Sequence, residues 1–174
     1  AREIRREQQI VHRSMNTTEQ STSMVAKLPF LATFFALFGI GDTGYLTYHH
    51  YTAEPVPCSI LSGCEQVLTS QWATLGGFLP ASVDFPLLAA VPLAGIGLIG
   101  YSIAFVFAVL SLRGNRKTWL VFGLHVTMMA AFSAWLIYLQ GVVIGSFCQY
   151  CLLSALTSVS MFVIALASRF WRLK

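Results

Sequence analysis

The sequence predicts an all-α membrane protein, a four-transmembrane-helix bundle with a short amphipathic helix in its outer loop. Three observations lead there. Hydrophobic residues make up 56% of the 174-residue chain and charged residues only 10%, with a mean hydropathy of +0.67, whereas a soluble domain carries about 25% charged residues. The apolar residues gather into four runs of about twenty residues or more, the length a bilayer core requires. All eleven Lys and Arg fall in three clusters: Arg2, Arg5, Arg6, Arg13 and Lys27; Arg113, Arg116 and Lys117; and Arg169, Arg172 and Lys174. The net charge of +4 is thus explained by topology and gives no basis for nucleic-acid binding.

Residues 1–27 read as a polar cytoplasmic tail, mobile or weakly helical and without chemistry. No short apolar core with a small-residue cleavage site follows it, so it is not a secretory signal. Residues 28–174 form the predicted four-helix transmembrane redox domain. Its first span runs from Leu28 to Tyr48 and ends in an interfacial cluster of Tyr45, Tyr48, His49, His50 and Tyr51. Asp42 lies inside this span, is costly to bury, and is expected to face protein or water.

From Thr52 to Asp84 the chain carries no Lys or Arg. Within that loop Cys64, Val67, Leu68, Trp72 and Leu75 recur at helical spacing, predicting the short amphipathic helix, at the membrane surface. Gly76-Gly77-Phe78-Leu79-Pro80 ends it. A second span covers Phe85 to Leu112, with Pro86 in its first turn, a kink expected at Pro92, and Gly95, Gly97 and Gly100 permitting close helix contact. A tight basic turn, Arg113 to Lys117, leads to a third span, Trp119 to Leu139. Gln140 to Phe147 reads as a short uncharged loop, and the fourth span opens at Cys148-Gln149-Tyr150-Cys151.

Four spans place both termini and the basic turn on one side, which the positive-inside rule makes cytoplasmic. Both cysteine-bearing loops then face the outer, periplasmic side of an inner (cell) membrane or an organelle lumen, where disulfides persist. The chain's four cysteines are Cys58 and Cys64 in the long loop and Cys148 and Cys151 at the mouth of the last span. A Cys-x-x-Cys at a helix start keeps two thiols on one face, and the helix dipole and free N–H groups there favour the reactive thiolate. Four cysteines allow three pairings, which sequence alone does not choose among. Two static disulfides and a four-cysteine zinc site are the alternatives to a redox relay. An oxidising compartment and a loop without a polar scaffold weigh against zinc, and no metal is expected.

The loop pair Cys58 and Cys64, Ser70 six residues after the second loop cysteine, Trp72 two residues later, and Cys-x-x-Cys opening the last of four spans together resemble the vitamin K epoxide reductase family, in its bacterial quinone-linked form. The likeness covers Leu28 to Phe170. It implies a membrane thiol oxidoreductase that passes electrons from a thioredoxin-like (DsbA-like) protein to a quinone of the ubiquinone, menaquinone or vitamin K type. Cys58 would receive electrons from the partner thiol. Cys64 would attack a Cys148–Cys151 disulfide, and Cys151 would lie nearest the quinone ring. Ser70, Trp72 and Leu68 would belong to the quinone pocket or its lid. On an unbroken helix Ser70 points away from the apolar stripe, and a helix that caps the bundle is the expected resolution.

The animal enzymes carry a Tyr four residues after the last cysteine, where this chain has Ala155, which favours quinone over epoxide reduction. The residues up to Lys174 include no thioredoxin-like domain, so the partner is expected to be a separate protein, with membrane lipid as the other contact. Asp84, His49, His50 and His125 are expected at interfaces or in packing.

Overall fold

The computed structural model describes residues 2–78 and 89–171; Asp84, Phe85 and Pro86 lie outside the described residues. Helix α1, Arg2–Thr52, is one continuous helix, so the polar N-terminal stretch shares its axis with the first span. After the loop come α2, Cys64–Leu68, and two 3₁₀ turns, Gln71–Ala73 and Leu75–Phe78. Helix α3, Leu93–Ser111, and helix α4, Arg116–Tyr138, follow, with a wide π turn at Leu139–Ile144. Helix α5 is Gln149–Trp171. Segments Lys27–Thr52, Leu93–Ser111, Arg116–Ile144 and Gln149–Arg169 are each long and apolar enough to cross a membrane. The chain is a multi-pass membrane protein.

The helices pack as a ring in which α1 meets α3 and α5, and α4 meets α3 and α5. The core is built from Ala32 and Ala36 on α1, Tyr101, Ala104 and Ala108 on α3, Trp119, Phe122 and Val126 on α4, and Met161 and Ile164 on α5. Lipid offers no hydrophobic drive for helices to associate, so close approach across small residues and interhelical hydrogen bonds do the joining. The alanines let α1 and α3 approach. At Gly39 the backbone of α1 lies directly under the Tyr101 ring, and Gly97 faces Thr43. Trp119 Nε1 donates to Ser168 Oγ at 2.6 Å, tying α4 to α5. The outside is the reverse of a soluble protein, with Phe30 71% and Leu124 67% exposed, which is stable only against acyl chains.

Three elements differ from expectation. Pro92 precedes α3 in extended conformation (φ −69°, ψ 140°) and starts the helix instead of kinking it; a ring that cannot donate an N–H is least costly there. Leu75 N–H donates to Val91 O at 2.9 Å, so the end of the loop is held against this entry. The amphipathic helix breaks after Leu68, well short of Leu75. Thr69 Oγ1 donates to Glu65 O and Ser70 Oγ to Val67 O at 2.6 and 2.7 Å, and Ser70 turns extended (φ −69°, ψ 155°). Thr69 N–H and Ser70 N–H still donate to Glu65 O and Val67 O at 2.9 and 3.3 Å, so the last turn closes normally and the break is the extended backbone of Ser70 itself. The segment caps the bundle, the arrangement expected from the position of Ser70, and does not lie flat on the membrane surface: Cys64 and Val67 are buried. Finally, Gln140 to Ile144 is a π turn, closed by Gly145 at φ +71°, and is not a loop.

Gly39→Ala should destabilise the bundle by about 1–3 kcal/mol, because a methyl group would occupy the space of the Tyr101 ring. Gly41→Ala, where nothing lies within 4 Å, should leave detergent-unfolding midpoints unchanged and serves as the control.

Candidate functional site

Local chain geometry brings the cysteines together at one end of the bundle. Cys58 and Cys64 are joined by a disulfide with a Cα–Cα distance of 6.3 Å, while Cys148 and Cys151 are free thiols. Cys64, Val67 and Cys148 form a buried cluster, against which Cys58, Leu68, Ile144, Tyr150 and Cys151 pack. All four cysteines therefore share one small apolar neighbourhood, with the buried Cys64 and Cys148 at its centre.

Cys148 stands just before the first residue of α5, and its carbonyl accepts from Leu152 N–H at 3.0 Å, closing the first helical turn. Its own N–H donates to Gln140 Oε1 at 3.0 Å. Gln140 is buried, and its carbonyl also accepts from Ser146 N–H at 3.0 Å. One side chain from the π turn thus satisfies the N–H that the helix start leaves without an intrahelical partner. The Cys151 thiol donates to the Cys148 sulfur, and the backbone N–H groups of Cys151 and Tyr150 also bond to it. Together they lower the Cys148 pKa to about 7 against the opposing effect of burial. A thiol ionised near neutral pH is a competent nucleophile and a good leaving group.

Below the cluster lies a cavity of about 430 Å³ whose wall contains Cys151, Leu68, Ser70 and Trp72. The break after Leu68 turns Ser70 into this cavity, which resolves the conflict raised by the unbroken helix. Cys58, Cys64 and Cys148 stand outside the lining. The expected lid residues and one cysteine of the Cys-x-x-Cys are thus brought together. The walls are mostly apolar, including Leu46, Leu93, Met129 and Phe132, and Met128 is also 67% exposed on α4. The cavity lies under the cap, and its α4 wall includes this lipid-exposed side chain. Trp72 packs edge-on against Phe78, which in turn approaches Phe132 on α4, at ring centroid distances of 5.4 and 6.3 Å.

Several lining residues were not expected at the site. His125 lines the cavity and its Nε2 is 2.9 Å from Gly100 O, a bond in which Nε2 donates because a carbonyl oxygen only accepts. Tyr101 and Gln140 also line it, and Tyr101 donates to Ser154 O at 2.6 Å. In the sequence His125 reads as packing and Gln140 as the start of a short uncharged loop; for His125, a polar residue within an apolar run was the available signal. Asp42 sits in a side groove with Tyr45, Tyr150 and Leu153, between α1 and α5, and its Oδ2 is buried without a partner among the described residues. His49 Nδ1 lies 3.3 Å from Glu54 O near the end of α1, and His50 lines the cavity.

Two adjoining cysteine pairs, one closed and one open, at the mouth of a four-span bundle define a multi-pass membrane protein built around paired thiols. The model of the vitamin K epoxide reductase family matches residues 30–166, and the chain belongs to that family. It is also similar to the thiol-disulfide oxidoreductase LTO1 of Arabidopsis thaliana, 32% identical over 134 residues. That match covers 71% of this chain and 32% of the relative, so the chain spans about a third of the relative's length.

Replacing the donor in Cys151→Ala should raise the Cys148 pKa above about 7. Thiolate absorbance at 240 nm, titrated on the reduced protein, should rise through pH 7 in the Cys148-dependent part of the parent curve, and at distinctly higher pH in the variant. A curve that does not move would show that the Cys151 thiol is not the donor.

Proposed function

We propose that the chain is a membrane thiol oxidoreductase that passes electrons from a thioredoxin-like protein through Cys58/Cys64 and then Cys148/Cys151 to a quinone, supporting disulfide-bond formation. The observation that carries this reading is one cluster in which Cys64 and Cys148 are buried and Cys58 and Cys151 pack against them, adjoining a mostly apolar cavity with Cys151 in its wall. In this reading the cysteine end faces the periplasmic or lumenal side and the basic ends face the cytoplasm, an orientation that the charge clusters support.

The residues present fit a quinone. The cavity has the size of small-molecule sites generally, roughly 300–1,000 Å³. It offers a flat ring apolar walls, with hydrogen-bonding side chains at Ser70, Trp72 and His125. A lipid-borne molecule would enter past Met128. Ala155 in the wall brings no hydroxyl, which supports quinone reduction and not epoxide reduction. A bound quinone supplies a two-electron acceptor that takes up two protons.

The cysteines do the rest by thiol–disulfide exchange. A partner dithiol reduces Cys58–Cys64 and leaves as a disulfide. The Cys64 thiolate attacks Cys148, and Cys151 leaves as a thiolate at the cavity wall. Cys58 then attacks Cys64, and Cys148 leaves, its pKa near 7 favouring departure. The outcome is a Cys58–Cys64 disulfide and a Cys148/Cys151 dithiol, the redox arrangement of the structure. Oxidation of that dithiol delivers two electrons to the acceptor and two protons from the thiols.

Quinone reduction by purified protein in detergent tests the reading. Cys151→Ala should abolish turnover with every donor. Cys58→Ala should block a protein thiol donor while a small dithiol remains partly effective. Unaltered quinone reduction in both variants, or none in the parent, would contradict it.

A further inference from the structure

The two residues between Cys148 and Cys151 have no place in the exchange chemistry, and neither lines the cavity. Both reach across to the opposite loop. Gln149 Oε1 accepts from Ile60 N–H at 3.0 Å, and Tyr150 O–H donates to Pro57 O at 3.0 Å. These bonds bracket Cys58, one residue before it and two after. A third contact lies beside Cys64: a Cβ at Gly63 would stand 2.7 Å from Phe147 O and 2.9 Å from Phe147 N, so only glycine lets the loop backbone settle on the entry to α5. The Tyr150 ring is braced from behind by Tyr45 of α1 at 5.4 Å.

We propose that Gln149 and Tyr150 are positioning residues that clamp the Cys58–Cys64 loop onto the first turn of α5 and so present Cys64 to Cys148. The proposal rests on the relay reading and adds what makes its internal step fast. Exchange requires the attacking, central and leaving sulfurs to lie nearly in line, and groups held in such geometry react as one molecule instead of searching for each other. The loop's own side chains hold it weakly: Pro57 and Ser59 are exposed and Ile60 is 83% exposed, and from Pro57 to Ile60 only Cys58 packs against the buried cluster. The Cys58–Cys64 disulfide shortens the loop's freedom only while it is closed. In the reduced state, when Cys64 must attack, that restraint is gone and the clamp remains. The step it serves balances internally: the Cys64 sulfur bonds to Cys148, the Cys148–Cys151 bond breaks with its electron pair on Cys151, and Cys58 completes the transfer by displacing Cys148 from Cys64. Two electrons and two protons pass from the loop pair to the helix pair.

The test uses the full chain carrying Cys58→Ser and Cys151→Ser, in which diamide can join only Cys64 and Cys148. The rate of that cross-link, read by gel shift of labelled thiols, should fall about tenfold when Gln149→Ala and Tyr150→Phe are added, the combined effect of two exposed hydrogen bonds. Gln149→Glu, which keeps an acceptor oxygen, should stay within about twofold. An unchanged rate in the double variant overturns the clamp. In the four-cysteine protein the same double variant should lower quinone reduction fed by a protein thiol several-fold more than reduction fed by dithiothreitol. Equal losses with both donors would mean that the bonds serve only the fold, which also overturns it. A parent that reduces no quinone, together with a cross-link that slows tenfold, would remove the relay's acceptor and leave the clamp standing.

Discussion

The seating of the Cys58–Cys64 loop on the entry to α5 is the contact on which the rest of the site depends. Two segments far apart in sequence, Pro57 to Gly63 and Phe147 to Tyr150, meet there through a close backbone approach and two hydrogen bonds. Their meeting buries Cys64 and Cys148 together. A redox relay needs its two dithiols within exchange distance and in defined order. A helix alone cannot supply this, because Cys148 and Cys151 point from one turn of one element. The loop must come to the helix, and Gly63 permits that where any side chain would collide.

The bilayer imposes the second constraint. A chain whose outside is Phe30, Leu124 and Met128 is stable only in lipid, and Met128 also stands in the wall of the cavity. The cap made by α2 and its 3₁₀ turns closes the cavity at the cysteine end through Leu68, Ser70 and Trp72. Cap and loop are one continuous segment, so the element that shields the cavity also carries the outer cysteine pair. Cys151 faces the cavity from one side of α5, while Gln149 and Tyr150 face the loop. The Cys-x-x-Cys turn thus has a chemical face and a docking face, set by the helical angle between successive residues.

The bundle was legible in the sequence because lipid-spanning segments leave a strong compositional trace: the spans expected from Leu28, Trp119 and Cys148 all appear as helices. The basic turn at Arg113 to Lys117 appeared as well, with Asn115 capping α4 through a bond from Lys117 N–H at 3.0 Å. What failed was local. Apolar spacing from Cys64 to Leu75 suited one helix, but the backbone turns extended at Ser70, and the periodicity of apolar side chains does not register a change of backbone conformation at a polar position. Leu68, Ser70 and Trp72 were nevertheless expected in the cavity, and they line it. His125 was read as packing, and Gln149 and Tyr150 were not singled out, because their partners lie 25, 89 and 93 residues away; Gln140 was read as loop because the π turn that carries it leaves no mark in the apolar pattern.

The central claim is that the two cysteine pairs exchange electrons inside one cluster. The most direct measurement oxidises the fully reduced protein with one equivalent of a short-chain ubiquinone, labels the remaining thiols, and maps them by mass spectrometry of peptides. Exchange within the cluster should leave a disulfide at Cys58–Cys64 and labels on Cys148 and Cys151, the arrangement seen in the structure. A disulfide that stays at Cys148–Cys151, with Cys58 and Cys64 both labelled, would contradict it.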